Sequence, residues 1–251
     1  LTFAHATCIE IATGAALPEA LDTVIPFEKC DIDAKARTIR FSVDSVKHGA
    51  NVRYEGEQIG RGEVIVQTGT LLRPQHLALL AAAGISEVTV HSRLRVALLT
   101  TGSELAEPGQ PLGRYQTYNS NGVMLETMLK SMNCSVEAVS MQDNADIIAQ
   151  KISELLTRND MLILTGGAGN GKFDISQTQL NAMGTMHPWS INMRPGRPMR
   201  FGQIQGKPVF VLPGNPVAAF VTFLEFVRGS LLQMQGLKKD LWLKQYPARL
   251  A

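Results

Sequence analysis

The sequence has few cysteines and no block of like charge. Cys8, Cys30 and Cys134 are its three cysteines, an odd number without C-x-x-C spacing. They predict neither a disulfide framework nor a zinc site, and reduced thiols in a cytoplasmic protein are the expectation. The formal net charge is only +2 and the Lys and Arg residues are scattered, so no nucleic-acid or membrane partner is expected.

Long apolar runs and recognisable nucleophile motifs are also lacking. No stretch approaches the roughly 18 apolar residues of a membrane span, and no charged-then-apolar signal segment opens the chain. The five histidines are dispersed, and no G-x-S-x-G type of motif is present. The chain does have 251 residues, of which 45% are hydrophobic, which is enough for one large domain or a few small ones.

The first part of the chain has short alternating runs that predict β structure. Residues 1–58 are expected to form a small, partial β-rich domain, because Gly and Pro separate the alternating runs. Its predicted strands are Thr7–Ala12, Thr23–Pro26 and Thr38–Val43. Residues 59–92 predict a short α+β linker region with a helix over Pro74–Ala83 and a strand over Glu87–Val90.

Residues 93–236 alternate apolar runs with helical segments, and residues 237–251 follow as a tail. The alternation predicts an α/β domain with right-handed crossovers and a mostly parallel sheet, covered by helices on both faces in three layers. The predicted strands are Arg95–Thr100, Ser135–Val139, Met161–Thr165, Met199–Ile204 and Pro208–Leu212. The predicted helices are Asn121–Met132, Ala145–Leu156, Ile175–Met183 and Val217–Met234.

A glycine-rich loop follows the apolar run that ends at Thr165. Gly166, Gly167 and Gly169 allow positive φ and a close approach to a ligand, and the helix after them favours phosphate or another oxyanion. A tight turn without a ligand is the alternative explanation, and both stay open. The loop also fits part of a nucleoside-triphosphate motif, but Phe173 stands where a magnesium-binding Ser or Thr belongs.

Three carboxylates follow predicted strands. Glu104, Asp143 and Asp174 are expected at the edge of the sheet where parallel strands end, and ligands of such sheets bind there. Carboxylate oxygens suit a hard cation such as Mg²⁺. The alternative is that Asp143 and Asp174 cap helices and that Glu104 is a solvated loop residue.

Two arginines flank a Pro-Gly turn. Arg194 and Arg197 lie in Arg194-Pro-Gly-Arg-Pro198, and guanidinium groups on a rigid turn bind phosphate well. An ordinary basic turn is the alternative explanation.

Several motifs occur in order over nearly the whole chain. They are Thr100-Thr-Gly-Ser-Glu-Leu105, Asn119-Ser-Asn121, Gly166-Gly-Ala-Gly-Asn-Gly-Lys-Phe-Asp174, Arg194-Pro-Gly-Arg-Pro198 and Leu212-Pro-Gly-Asn-Pro-Val217, with Thr13-Gly-Ala-Ala-Leu-Pro18, Gly49-Ala-Asn-Val-Arg53 and Gly69-Thr70 upstream. On these motifs the chain resembles the molybdopterin molybdenumtransferases, which include the E domain of gephyrin. The domain of residues 93–236 is therefore expected to be of the molybdopterin-binding type.

The resemblance implies a step of molybdenum cofactor synthesis. In that step molybdate is inserted into the dithiolene of adenylylated molybdopterin and AMP is released, assisted by Mg²⁺. Catalytic and metal-binding roles are implied for Glu104, Asp143 and Asp174. The residues implied to bind substrate are Thr13, Arg53, Ser103, Asn121, Gly166, Gly167, Gly169, Arg194, Arg197, Pro213, Gly214 and Asn215. A homodimer is implied too, and the adenylyltransferase of the pathway is a candidate partner.

The chain departs from the family pattern at several polar positions. Residues that differ from those common in the family are Gln58, Ser103, Gly169, Lys172, Ser190 and Ala218. The family's aspartate-rich N-terminal segment and its C-terminal β domain are missing, and the chain opens without Met, so we expect a fragment or a divergent paralogue. A non-catalytic molybdopterin-binding or scaffold module is the alternative hypothesis, and a nucleotide hydrolase that shares only the α/β domain is the third.

Overall fold

The computed structural model describes residues 7–166 and 177–249. The chain divides into two compact units, Leu1–Ile65 and Val66–Ala251. This division places residues 66–92 of the predicted linker region with the α/β domain and residues 59–65 with the first unit. The four-part division of the chain stays a prediction.

The first unit contains a short hairpin. Strand β1 (Asp31–Asp33) pairs antiparallel with β2 (Thr38–Arg40). The turn between them is held by Asp33, whose Oδ1 accepts hydrogen bonds from the backbone N–H groups of Lys35 and Ala36, at 2.9 Å each. The predicted strand that begins at Thr38 is thus confirmed in a shortened form.

Two strands predicted in the first unit are wrong. Thr7–Ala12 and Thr23–Pro26 are irregular in the structure. The backbone N–H of Val24 donates to the carbonyl oxygen of Ala50, and the side-chain amide of Asn51 donates to the carbonyl oxygen of Val24. Loop-to-loop hydrogen bonds therefore replace a strand ladder here, because an alternating run becomes a strand only where a neighbouring strand can pair with it.

The second unit is built on a six-stranded sheet with the order β6-β3-β7-β10-β9-β8. The strands are β3 (Arg95–Thr101), β6 (Ser135–Met141), β7 (Met161–Thr165), β8 (Gly184–Ser190), β9 (Pro198–Ile204) and β10 (Lys207–Leu212), and β4 (Leu105–Ala106) pairs separately with β5 (Thr117–Tyr118). Strands β6, β3, β7 and β10 are parallel, whereas β9 and β8 pair antiparallel. The predicted mostly parallel sheet is confirmed.

Helices cover both faces of this sheet. The covering helices are α2 (Ser120–Ser131), α3 (Ala145–Arg158), α4 (Gln177–Met183), α5 (Pro216–Thr222) and α6 (Arg228–Met234), with a π-helical turn over Phe223–Val227 between the last two. Helix α1 (Pro74–Ala82) precedes the sheet in the chain. Asparagine caps α2, α3 and α5: Asn119, Asn144 and Asn215 each accept a hydrogen bond from a backbone N–H in the first turn.

Two apolar clusters, one on each face of the sheet, hold the helices against it and so produce three layers. On one face, Ala97 and Leu99 of β3 pack with residues of α3 and α4, including Ile152 and Leu180. On the other face, Leu98 packs with residues of α2 and of the helix that continues from α5. Because alternate residues of β3 point to opposite faces, both faces of the strand are apolar and buried, as in parallel sheets generally.

The apolar helix over Pro216–Met234 is long and apolar enough to cross a membrane by length and composition alone. The sequence-based expectation was that no run approached this length. In the structure the helix packs on the sheet, and Phe223, Val227 and Leu231 are almost completely buried. This is the packing of a core helix of an α/β domain.

Two sequence-based predictions in the second unit differ from the structure. Strand β8 was not predicted, because its sequence Gly-Thr-Met-His-Pro-Trp-Ser has neither an apolar run nor clear alternation. It forms at the edge of the sheet beside β9, the position in which a proline is tolerated. The strand predicted over residues 87–90 is wrong: this segment is exposed and pairs with no strand in the part of the chain that the structure describes.

Candidate functional site at the carboxyl edge of the sheet

Loops that carry most of the predicted site residues meet at one edge of the sheet. Strands β3, β6, β7 and β10 are parallel and end there, and β9 begins there because it runs antiparallel to β10. Along the chain, β6 adds to one side of β3 and the next strand, β7, adds to its other side. The strand order therefore switches sides at β3. Open α/β sheets bind ligands in the crevice outside such a switch point.

Hydrogen bonds join the start of α2 to the ends of β7 and β10. The amide nitrogen of Asn121 donates to the carbonyl oxygen of Gly214 at 2.8 Å and to Oγ1 of Thr165 at 3.2 Å. The hydroxyl of Thr165 donates to the carbonyl oxygen of Pro213 at 3.1 Å. Asn215 caps α5 by accepting from the N–H of Ala218 at 3.1 Å. Three of the predicted substrate-binding residues are thus held together: the Asn121 amide binds Gly214 directly, and the buried hydroxyl of Thr165 joins Asn121 to Pro213.

Gly166 fits a position that no other residue can take. Its φ is +79°, and a Cβ added to it would lie 1.9 Å from the carbonyl oxygen of Thr101. A Cβ on Gly214 would lie 3.9 Å from the Cα of Gly166. The ends of β3, β7 and β10 therefore approach one another with no side chain between their backbones, which leaves main-chain groups at the crevice.

Ser103 and Asp143 form a reciprocal pair between the ends of β3 and β6. The backbone N–H of Ser103 donates to Oδ2 of Asp143 at 3.0 Å, and the backbone N–H of Asp143 donates to the hydroxyl of Ser103 at 3.3 Å. The second oxygen of Asp143, Oδ1, is buried and has no hydrogen-bond partner among the described residues. Asp143 does not cap α3, because Asn144 has that role.

Glu104 lies in the same loop as Ser103 and is exposed. Its Oε1 would be 2.9 Å from a Cβ on Gly102, so the carboxylate folds back over the end of β3. The backbone of Glu104 is fixed, because its carbonyl oxygen accepts from the N–H of Thr117 at 2.8 Å. The carboxylates of Glu104 and Asp143 are therefore carried by the loops that follow two adjacent strands.

Two polar residues important to this edge are not among the predicted site residues, although one of them, Asn119, lies in a motif that the sequence analysis names. Asn119, 5% exposed, donates to Oγ1 of Thr100 at 2.9 Å, to Oε1 of Glu107 at 3.2 Å and to the hydroxyl of Ser140 at 3.5 Å. Thr165 is the second, as described above. A helix-capping signal marks Asn119 in the sequence, but nothing in the sequence marks Thr165, which reads as the last residue of a strand.

The two arginines of the Pro-Gly turn are exposed and lie just before β9. Gly196 between them is buried with φ of +114°, and a Cβ there would lie 2.4 Å from Cε of Met193 and 2.9 Å from Cγ2 of Thr222. The turn is therefore pressed against α5. Since β9 starts where β10 ends, Arg194 and Arg197 belong to the same edge as Pro213–Asn215.

Some predicted site residues cannot be placed at this edge. Asp174, Gly167 and Gly169 lie outside the described residues. Thr13 and Arg53 are exposed loop residues of the first unit. Within the described ranges, no group of three or more His, Cys, Asp or Glu side chains is placed to hold a metal ion. The predicted cluster of three carboxylates depends on Asp174 and stays a prediction.

The fold and this edge define the class of the domain. It is a doubly wound α/β domain with a ligand crevice at the carboxyl edge of a mostly parallel sheet. Residues 97–233 match the family model described as "Probable molybdopterin binding domain", and residues 2–84 match "MoeA N-terminal region (domain I and II)". The chain belongs to the molybdopterin molybdenumtransferase family.

Similar proteins support this membership. A molybdopterin molybdenumtransferase of Haemophilus influenzae is 34% identical over 239 residues, which is 95% of this chain and 58% of the relative. Molybdopterin molybdenumtransferase 2 of Mycobacterium tuberculosis is 33% identical over 94% of this chain and 60% of the relative. The crystal structure of the molybdopterin biosynthesis moeA protein from Pyrococcus horikoshii OT3 superposes with a TM-score of 0.71, at 28% identity, over 92% of this chain and 56% of that one. The chain thus spans less than two thirds of the length of these relatives.

Proposed function

We propose that this chain acts in molybdenum cofactor synthesis and binds molybdopterin at the carboxyl edge of its sheet. The proposed reaction inserts molybdate into adenylylated molybdopterin and releases AMP, with Mg²⁺ as the assisting cation. The observation that carries the proposal is the hydrogen-bonded junction of Asn121, Thr165 and Gly214. It ties the end of β7 to the loop after β10 at the crevice, in a chain that belongs to the molybdopterin molybdenumtransferase family.

The chain's own groups suit an anionic substrate that carries a phosphate. Arg194 and Arg197 offer forked donors at the edge, and the turn over Pro213–Asn215 is fixed by Asn121 and by its own cap. Fixed groups bind and orient a ligand with little loss of conformational entropy. In this proposal the arginines hold the phosphate and oxyanion groups, and the Pro213–Asn215 turn orients the substrate.

The donor set at the edge also fits Mg²⁺. Asp143 Oδ1 is a buried carboxylate oxygen without a partner, and Glu104 adds a second carboxylate from the neighbouring loop. Hard oxygen ligands are those that Mg²⁺ prefers. In this proposal Glu104 and Asp143, with Asp174, hold the cation, which would neutralise negative charge on phosphate and molybdate oxygens.

AMP release tests the proposal. The chain is incubated with adenylylated molybdopterin, molybdate and Mg²⁺, and AMP is measured over time. We expect release by the wild type and a loss of at least about 100-fold in Asp143→Asn, because a charged group at the reacting centre is worth several kcal/mol. Asp146→Asn, which changes an exposed carboxylate in the first turn of α3, is the matched control and is expected to keep the activity. Absence of AMP release by the wild type, or equal release by Asp143→Asn, would defeat the catalytic proposal.

A non-catalytic molybdopterin-binding module is the second candidate. It is favoured by Ser103, because the family commonly has an aspartate there and the hydroxyl of Ser103 instead accepts a hydrogen bond from the backbone of Asp143. Calorimetric titration with molybdopterin separates the two candidates. Tight binding without AMP release supports the binding module, and absence of binding excludes both.

The assembly and location of the protein are part of the proposal. We infer a homodimer in the cytoplasm that receives its substrate from the adenylyltransferase of the pathway, on the strength of family membership. Sedimentation equilibrium of the chain tests the dimer. A monomer at micromolar concentration would contradict it.

A further inference from the structure

Three side-chain atoms of the described residues are buried without a hydrogen-bond partner, and all three lie at the carboxyl edge. They are Oγ1 of Thr101, Oδ1 of Asn121 and Oδ1 of Asp143. Asn121 and Asp143 already belong to the predicted site. Thr101 does not, although only 1% of it is exposed. A buried hydroxyl with no partner costs about 1–3 kcal/mol, so its presence at a ligand-binding edge needs an explanation.

Thr101 and Asp143 come from neighbouring parallel strands. Thr101 is the last residue of β3 and is in register with Met141, the last residue of β6. Asp143 follows two residues later, and the N–H of Ser103 holds its other oxygen at 3.0 Å. The loops after β3 and β6 are therefore tied together beside Thr101.

The hydroxyl of Thr101 lies on the α3 side of the sheet. Side chains along a strand alternate between faces, so Thr101 shares the face of Ala97 and Leu99, which pack against α3. Thr100 points to the opposite face and uses its hydroxyl fully: it accepts from Asn119 at 2.9 Å and donates to the carbonyl oxygen of Val139 at 3.4 Å. Two adjacent threonines of one strand thus differ in that only Thr101 lacks a partner.

The chemistry of the two free oxygens selects the ligand. Oδ1 of Asp143 is a carboxylate oxygen, which repels an oxyanion and attracts a cation. A hydroxyl oxygen with free lone pairs is a hard ligand of the same kind, and Mg²⁺ keeps several waters that donate to such oxygens. A hydrated divalent cation bound between the two loops would offer hydrogen-bond or ligand partners to both atoms.

We propose that Thr101 is a further ligand-binding residue of this site and that its hydroxyl, with Oδ1 of Asp143, receives a hydrated divalent cation. This inference rests on the proposed function and adds to it a residue outside the carboxylate set. The inference predicts different effects on binding and on stability. Removal of the hydroxyl weakens cation binding but does not destabilise the fold, because the hydroxyl has no partner among the described residues to lose.

Calorimetric titration with Mn²⁺ alone, paired with thermal unfolding in EDTA, tests the proposal on the whole chain. Thr101→Val is expected to lower the Mn²⁺ affinity about tenfold and to leave Tm in EDTA unchanged or higher. Thr101→Ser, which keeps the hydroxyl, is expected to bind Mn²⁺ within about threefold of the wild type. Thr100→Val is the matched control: we expect a lower Tm, because its hydroxyl is bonded, and an unchanged Mn²⁺ affinity.

Equal Mn²⁺ affinity in Thr101→Val and the wild type would overturn the inference, as would absence of Mn²⁺ binding by the wild type. A fall in Tm of Thr101→Val as large as that of Thr100→Val would also overturn it, since the hydroxyl would then be structural. Titration of the wild type with molybdopterin separates this failure from failure of the proposed function. Molybdopterin binding with no effect of Thr101→Val on Mn²⁺ defeats only the inference, whereas Mn²⁺ binding without molybdopterin binding defeats the proposed function.

Discussion

Asn121 and Gly214 are 93 residues apart in sequence and are joined by a hydrogen bond of 2.8 Å between the side-chain amide and the backbone carbonyl oxygen. Asn121 lies in the first turn of α2, and Gly214 lies in the turn between β10 and α5. One side chain therefore connects the helix that follows the first strand of the domain with the loop that follows the last parallel strand. The shape of the proposed binding edge depends on this connection.

Removal of the Asn121 amide is expected to affect both folding and binding. In Asn121→Ala the carbonyl oxygen of Gly214 loses its donor, and Thr165 loses one partner, so we expect the free energy of unfolding to fall by about 1–2 kcal/mol. We also expect weaker molybdopterin binding, because the Pro213–Asn215 turn is no longer held. Urea unfolding and calorimetric titration measure the two effects.

Ser120→Ala is the matched control for Asn121→Ala, because Ser120 is the exposed neighbour in the same helical turn. We expect it to change the free energy of unfolding by less than about 0.5 kcal/mol. An Asn121→Ala variant as stable as Ser120→Ala, with wild-type ligand affinity, would contradict the role given to this amide.

Gly166→Ala is expected to be among the most damaging small changes in the domain. The new methyl group would lie 1.9 Å from the carbonyl oxygen of Thr101, which is backbone and cannot turn aside, and φ at this position is +79°. We expect unfolding in urea to show a loss of at least about 3 kcal/mol. Gly109→Ala provides the control, since its φ is +90° with nothing within 4 Å, and should cost only about 1 kcal/mol for the backbone conformation. Equal losses in the two variants would show that the approach to Thr101 is not tight.

Glu137 gives the domain a defined dependence on acid. Hydrogen bonds from Arg158, and then from Asn159, lower the pKa of Glu137 from 4.5 to about 2. A depressed pKa in the folded state contributes stability that is complete above the unfolded pKa and is lost as the pH falls from about 4.5 towards 2. The pair is partly exposed, so solvent screening reduces the contribution to about 1 kcal/mol.

Glu137→Gln isolates this contribution. Between pH 5 and pH 2 we expect the wild type to lose about 1 kcal/mol more stability in urea unfolding than the variant, because the variant has no carboxyl to protonate at this position. Parallel loss in the two proteins over this pH range would show that the Arg158 contact contributes nothing to stability.

The central part of the fold could be predicted from the sequence because its strands carry their own signal. Within β3, β7 and β10, residues 96–99, 161–164 and 209–212 are all apolar and buried, which is the pattern of strands covered on both faces. Strand β8 carries no such signal. It forms because the backbone of β9 provides its hydrogen-bonding partners, and no local sequence pattern predicts that pairing. The reverse holds for residues 7–12, which alternate but pair with no strand within residues 7–166 and 177–249.

The site could be predicted only as a set of loops. Glu104, Asp143 and Pro213–Asn215 were placed at one edge because parallel strands end together. The sequence could not show that Asp143 binds the backbone of Ser103, or that Thr165 joins Asn121 to Pro213, because these bonds depend on atoms brought together by the fold. Hydroxyl groups at strand ends, such as those of Thr101 and Thr165, look alike in sequence and differ only in their partners.

Hydrogen exchange in the presence of molybdopterin tests the central claim, that the carboxyl edge of the sheet is the binding site. We predict slower exchange in peptides that cover residues 98–107 and 210–220, with no change in the hairpin Asp31–Arg40, which lines a separate surface cavity of about 410 Å³. Slower exchange confined to that hairpin, or ligand binding that leaves both edge peptides unchanged, would contradict the account.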